Sequence, residues 1–285
     1  MDEQKKDILR VFDKETEINA VDGSVIDYID IVNFQLREPV TNIFALLPLL
    51  AENINTYDTE KAMDALYSIY EKSYSLMKSV NNMSVAAKLL GGREFKKENI
   101  DFSSLVKSVF ESSKMVLPDW FSLDADIENG CNVKGNNKLL TLMIFNILLN
   151  SFDYRREDDV QVTVKLKISD RNCVITYCDN SLGIKPEIAG EIFNPYFSKN
   201  PYNNMEFHEK MGLGLYIAQQ AVQHAGGTIF MQTEFSEGVK YIISIPLSDE
   251  EDTGAVKSSA REFMLNKYSE MYVQLCDYCT LPDLQ

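Results

Sequence analysis

Two long stretches near the start of the chain repeat apolar residues at alternating steps of four and three. In 58–91 the series is Ala62, Leu66, Ile69, Ser73, Leu76, Val80, Met83, Ala87 and Leu90. In 21–51 it is Ile29, Val32, Leu36, Val40, Ile43, Leu47 and Leu50, with one irregular step beside Pro39. Such a heptad seam lies along one side of a helix and drives coiled-coil-like packing. Pro39 removes a backbone hydrogen bond and bends the first helix. The polar run Asn53–Thr59 turns the chain, with Asp58 or Thr59 as N-cap of the second helix. Gly91-Gly92 ends that helix. A lone hairpin buries two seams poorly, so pairing with a second copy into a four-helix bundle is expected. The plainer alternative is a helical domain packed on its own neighbour.

Residues 98–250 change pattern. Ser103 or Ser104 caps an amphipathic helix to about Met115, and Asn136 or Asn137 opens a second that carries Asn146 and Asn150. Val160, Val162, Val164, Leu166 and Ile168 alternate as one face of a strand. Val174–Tyr177 is its partner, turning at Asp170-Arg171-Asn172. Gly212–Ala225 reads as a helix, and Thr228–Glu234 with Val239–Leu247 as a hairpin whose Tyr241, Ile243 and Ile245 share a face. Helices on one side of a mixed sheet fit this order. In 251–285, Met264, Tyr268, Met271, Tyr272 and Leu275 share a helical face, which either docks on its own domain or binds a partner.

The formal charge of −15 argues against nucleic acid or anionic membrane as partner, because phosphates would be repelled. No apolar run reaches the length of a bilayer span, and Leu139–Leu149 is interrupted by Thr141 and Asn146. The N-terminus has no apolar signal region. Five cysteines without a disulfide framework point to a cytoplasmic location. Cys276-Asp-Tyr-Cys279 reads as chance spacing, since no second pair accompanies it.

Between Asn146 and Gly227 come Asn146-Ile147-Leu148-Leu149-Asn150, Asp179-Asn180-Ser181-Leu182-Gly183, Ile192-Phe193-Asn194-Pro195-Tyr196-Phe197, Gly212-Leu213-Gly214-Leu215 and Gly226-Gly227. In this order and at these intervals they resemble the N, G1, F, G2 and G3 boxes of the ATP-binding domain of histidine kinases, a family shared with gyrase, the heat-shock chaperone ATPases and the mismatch-repair ATPases. The fold expected is α+β: a helical hairpin forming a dimeric four-helix bundle, then an α/β two-layer sandwich of the Bergerat (GHKL ATPase) type. The corresponding boundaries are 1–20 lead-in, 21–95 dimerisation hairpin, 96–250 ATP-binding-like domain and 251–285 C-terminal extension.

The resemblance implies ATP and Mg²⁺ as cofactors. It places Mg²⁺ on Asn150, whose carboxamide oxygen is a hard ligand, beside Asn146 one turn away. Asp179 accepts from the adenine amino group, and Gly183 lets backbone approach the base. Phe193 packs the far side of the pocket, Lys199 lies in the lid that follows, and Gly212, Leu213 and Gly214 offer amides to phosphate. Four positions depart from the pattern. Ser181 stands where glycine is usual, Asp153 where a cation meets phosphate, Lys210 at a G2 glycine, and Val239 where a Thr supports adenine recognition. Arg155, Arg156, Lys199 or Lys210 are candidates for the missing charge, and the expected nucleotide site is weak or absent.

The acceptor segment of such kinases reads His-Glu-x-x-Thr-Pro; here it is Phe34-Gln35-Leu36-Arg37-Glu38-Pro39. A phenyl ring has no nucleophilic nitrogen, and Gln35 is no base. Glu38 replaces the water-orienting Thr. His208 and His224 fall elsewhere, in the lid and on the helix before Gly226. The expected protein is therefore a dimeric pseudokinase in two-component signalling, without membrane insertion, that binds a response regulator or another signalling protein through Phe34, Arg37 and Glu38. The alternatives are a nucleotide hydrolase, a kinase acting in trans, or an ATP-gated switch. Phe34 lies off the seam, so its ring serves either partner docking or a lock against the chain's own ATP-binding domain.

Overall fold

The computed structural model describes residues 23–156, 159–197, 211–234, 237–248 and 258–279. Helix α1 (Gly23–Asn55) runs unbroken past Pro39 and Pro48. Helix α2 (Thr59–Leu90) packs back along it as the second arm of the hairpin. The Asp58 side chain caps α2 by accepting from the Lys61 amide, and Gly91 closes it. Much of the seam stays open in the single chain: Leu47 is 45% exposed, Val80 45% and Leu90 50%.

Strand β1 (Glu98–Asp101) pairs antiparallel with β3 (Asn132–Gly135) as a separate ribbon. Helix α3 (Phe102–Val116) follows β1 directly. Its cap is Asp101, which accepts from the Ser104 amide, and not Ser103 or Ser104. Ser103 instead ties the next loop together: its Oγ donates to the Glu128 carbonyl and accepts from the Cys131 amide. The main sheet contains β2 (Phe121–Ile127), β4 (Val160–Ser169), β5 (Asn172–Asp179), β6 (Thr228–Glu234) and β7 (Gly238–Pro246) in the order β2-β4-β5-β7-β6. Only the β2–β4 pair is parallel. The expected alternation holds as far as Leu166, while Ile168, expected on the same face, is 39% exposed where the strand ends. Val160, Val162, Val164 and Leu166 are buried while Gln161, Lys165 and Lys167 face solvent, as in a sheet with one covered face. The β4–β5 turn places Asp170 and Arg171 at φ 47° and 62°.

Strands β1, β2 and β3 were not expected from the sequence. Their polar content is high, and β2 lies at a sheet edge with Asp124 and Asp126 among its residues. Pairing across the fold forms these strands, since their own alternation is weak.

Helix α4 (Asn137–Asp153) is capped by Asn136, whose Oδ1 accepts from the Leu139 amide. Thirteen of its 17 residues are buried, so it is apolar on nearly every side and must be covered on every side. It packs against α3 and α5 (Gly214–His224). Ser151 and Asn150 reach down to Tyr177 and Tyr241 of the sheet. The remaining side is covered by the C-terminal segment.

That segment is not one helix but two short ones, α6 (Ala260–Leu265) and α7 (Glu270–Leu275), each capped by a serine position, Ser259 and Ser269. The break at 266–269 leaves Tyr268 exposed, contrary to the single face expected, while Met271, Tyr272 and Leu275 are buried together with Val273 and Gln274. Helix α6 lies on α3, and α7 lies between α4 and α2. Polar ties fix it on both sides. Lys138 of α4 pairs with Glu270 at 2.8 Å. From α2, the Tyr74 hydroxyl donates to the Lys267 carbonyl at 2.9 Å, and Asn82 accepts from Gln274 at 3.0 Å. The segment is thus a strut joining the hairpin to the α/β domain. Cys276 and Cys279 are buried, free thiols on it, and no metal-ligating cluster occurs among the described residues. No helix among them is long and apolar enough to cross a membrane.

If the strut belongs to the core, Leu275→Ala should destabilise the protein by about 2–5 kcal/mol, as for other buried leucines. An unchanged urea midpoint would show that the segment contributes nothing to the folded state.

Candidate functional site

A cavity of about 450 Å³ opens where α4, the end of β5, the start of α5, both hairpin helices and the strut converge. This volume falls within the range of small-molecule sites.

One wall is α4. Asn146 and Asn150 lie one turn apart, and both line the cavity. Asn150 donates through Nδ2 to the Tyr241 hydroxyl at 3.3 Å, which turns its carboxamide oxygen into the available cation ligand. Asn146 is only 5% exposed, and its Nδ2 has no hydrogen-bond partner among the described residues. A buried donor left without a partner costs free energy, so this amide is suited to a ligand oxygen. Gly214 lies against it: a Cβ there would come 3.0 Å from Asn146 Oδ1.

The second wall is the end of β5. The Asp179 carboxylate is held by four donors. Oδ1 accepts from the Ser181 amide at 3.0 Å, the Ser181 hydroxyl at 2.6 Å and the Val239 amide at 3.0 Å. Oδ2 accepts from the Ser151 hydroxyl at 2.5 Å, which also bonds the Tyr177 hydroxyl at 2.7 Å. Ser181, where the motif has glycine, is thus a second tether on Asp179. Val239 contributes through its backbone where its side chain has nothing to donate. Oδ2 keeps acceptor capacity for one more donor. Burial raises the Tyr177 and Tyr241 hydroxyls well above the ordinary phenol range, and the Asp179 charge adds to this. Tyr154 is pushed up to about 12 by burial and then by Asp153. All three stay protonated.

The third wall is the start of α5. Its N-cap, Leu213, provides no side-chain hydrogen bond, so the first-turn amides at Gly212–Leu215 are presented to the cavity, an arrangement that favours anions. Gly183 and Gly212 both have positive φ, 72° and 61°. At Gly212 a Cβ would lie 2.3 Å from the Phe197 carbonyl oxygen, so only glycine fits there.

The site residues expected from sequence distribute as follows. Asn146, Asn150, Asp179, Gly183, Gly212, Leu213 and Gly214 line one cavity. Phe193 does not. Its neighbour Ile192 does, and Phe193 packs partly buried against the core, because adjacent residues in this turn point to opposite sides. Lys199, Lys210 and His208 lie outside the described residues. Arg155 stacks over Trp120 and Tyr278 and donates to the Phe152 carbonyl, while Arg156 donates to the Ser181 carbonyl; neither lines the cavity. Gln35 and Glu38 do line it, whereas Arg37 is exposed and off it. The side chain of Phe34 lies outside the described part of the structure. Sequence reasoning missed Ser151, Tyr177 and Tyr241 beneath Asp179. It also missed Lys72 and Lys78 on α2, which lie off the apolar seam with Ser75, Ser79 and Asn82 as a polar stripe. Asp153 accepts a hydrogen bond from the strut's Tyr278, a partner 125 residues away that local pattern does not reveal.

Residues 135–249 match the family described as histidine kinase-, DNA gyrase B- and HSP90-like ATPase. These residues have the α+β fold of GHKL ATPase domains, preceded in the chain by the helical hairpin. The chain is 25% identical over 239 residues to the CAI-1 autoinducer sensor kinase/phosphatase CqsS of Vibrio cholerae, covering 81% of this chain and 32% of that protein. It is 21% identical over 258 residues to the autoinducer 2 sensor kinase/phosphatase LuxQ of Vibrio vulnificus, covering 86% and 30%. The chain thus spans about a third of the length of these relatives. Among solved structures it resembles the Acinetobacter baumannii histidine kinase AdeS, with a TM-score of 0.52 at 16% identity, covering 75% of this chain and 98% of that one.

The ATP and Mg²⁺ that this fold implies fit the residues present. Asn150 Oδ1 suits the cation, the unpartnered Asn146 Nδ2 and the α5 amides suit phosphate oxygens, and Asp179 Oδ2 suits an amino donor. Gly212→Ala should lower the melting temperature and abolish Mg·ADP binding in calorimetry. Gly190→Ala, at a glycine with nothing within 4 Å of an added Cβ, is the control that should leave both unchanged. Equal binding by the two variants would separate the α5 start from the nucleotide site.

Proposed function

We propose that the chain is a signal-transduction protein of a two-component pathway that acts by binding and not by phosphorylating itself. The observation that carries this reading is that Gln35 and Glu38 line the cavity that holds Asn146 and Asn150. The segment resembling a phospho-acceptor therefore faces the segment resembling a nucleotide site, yet its residues are Phe34, Gln35 and Glu38. Phenyl and carboxamide groups have no nucleophilic nitrogen or useful base. Bound nucleotide would supply phosphates that bridge α4, α5 and the hairpin and so couple the two parts of the molecule. Affinity is expected to be modest and Mg²⁺-dependent, because Asp153 and Asp277 bring negative charge to the cavity.

A second copy of the chain is the proposed first partner. The exposed apolar residues on the hairpin, Phe44 at 68%, Leu47 at 45% and Val80 at 45%, belong to an unpartnered surface that a four-helix bundle would cover. A response regulator or another signalling protein is the proposed second partner, docking at the segment that carries Phe34, Arg37 and Glu38.

Incubation with radiolabelled ATP should leave no acid-labile, base-stable label on the chain and release no phosphate above background. Label with the stability of phosphohistidine would overturn the reading, and steady phosphate release would favour a hydrolase. Light scattering at micromolar concentration should give a dimer mass. The double substitution Leu66→Asp with Leu76→Asp should give a monomer, since each would bury an unpaired charge. A monomeric wild-type chain would refute the bundle.

A further inference from the structure

We infer that Lys78, a residue of the dimerisation helix α2, is a phosphate-binding residue of the nucleotide cavity, and that Asp277 of the C-terminal strut occupies its ammonium group as a built-in competing anion. The inference rests on reading the cavity as a nucleotide site.

A polyphosphate needs cations as well as amides. Among the described residues that line the cavity, the cationic side chains are Lys72, Lys78 and Lys185. Lys185 follows Gly183 and Ile184 on the side of Asp179. Lys72 and Lys78 come from the opposite wall, with Ser75, Ser79 and Asn82. The α/β domain's own candidates, Arg155 and Arg156, are committed to Trp120, Tyr278 and backbone carbonyls. Among the described residues, the α/β domain thus offers Lys185 beside Asp179, and the charge on the opposite wall comes from the hairpin.

Lys78 is the better placed of the two lysines because two carboxylates already converge on it. Its Nζ lies 2.7 Å from Asp277 Oδ2, and Asp153, one turn beyond Asn150 on α4, also acts on it electrostatically. Tyr278, beside Asp277, donates to that same Asp153. The strut therefore brings a hydrogen-bond donor to the anion of α4 and an anion to the cation of α2. Lys78 has its side chain 21% exposed, while Asp277 is 44% exposed. A pair with so accessible a partner is held weakly, so a multiply charged phosphate with fixed amides behind it can displace the Asp277 carboxylate. Lys78 then becomes the link through which nucleotide occupancy reaches the hairpin.

The test is titration of Mg·ADP by calorimetry into the wild-type chain, Asp277→Asn, Lys78→Met and the Lys78→Met/Asp277→Asn pair. Lys78→Met keeps the aliphatic stem, and melting curves verify that each variant is folded. Asp277→Asn should tighten binding by about two- to fivefold, the scale of a half-exposed ion pair. Lys78→Met should weaken it by about tenfold or more. In the Lys78→Met background Asp277→Asn should have no further effect, which is the signature of action through Lys78. A gain from Asp277→Asn that persists without Lys78 would overturn the inference and show general charge repulsion. So would wild-type affinity in Lys78→Met. If neither wild type nor Asp277→Asn binds Mg·ADP at millimolar concentration, the nucleotide reading itself falls and the inference with it.

Discussion

The structure depends on a helix that has to be hidden on every side. With thirteen buried residues out of 17, α4 has no face it can leave to water, and burial of this kind is the main favourable term in folding. The sheet lies beneath it, α3 and α5 flank it, and the strut closes the last side. Because α4 is fixed this firmly, its two asparagines are fixed as well. Asn146 is pressed by Gly214 and Asn150 is held by Tyr241. The cavity exists because polar groups on a helix that is otherwise fully packed must face the one space left open.

The strut changes what this space is. Without it the α/β domain would present Asp153 to the cavity and would meet the hairpin mainly through α5 and α2. With it, Asp153 has Tyr278, Lys78 has Asp277, and Asn82 has Gln274. The hairpin becomes a wall of the site. Coupling between the cavity and the helices then follows from shared contacts, and nothing beyond ordinary electrostatics and packing is required.

Ser181 and Val239 show how far polar chemistry can move from its expected atoms. Both look like losses when compared with a motif, yet both donate to Asp179 Oδ1, one through amide and hydroxyl and the other through its amide. The acceptor is oriented more tightly, with capacity left on Oδ2 alone. A motif records side chains; a carboxylate responds to any donor within reach.

By itself the sequence determined the helical hairpin, the strands β4, β5, β6 and β7, the cap positions to within a pair (Asp58 or Thr59, Asn136 or Asn137), and the set Asn146, Asn150, Asp179, Gly183, Gly212 and Gly214. These follow from local periodicity, from capping chemistry, or from a motif whose spacing is preserved. Only the tertiary structure decided the rest. Strands β1, β2 and β3 form because partners pair with polar segments whose own pattern is weak. The C-terminal face breaks into two helices because α3 claims its first part and α2 and α4 claim its second. Ile192 takes the place expected of Phe193 because a turn, not a strand or helix, sets its direction. Lys72 and Lys78 line the cavity where Arg155 and Arg156 do not, because the approach of α2, with its Lys78–Asp277 pair to a segment 199 residues away, depends on how elements pack, and no local pattern in the chain encodes that distance.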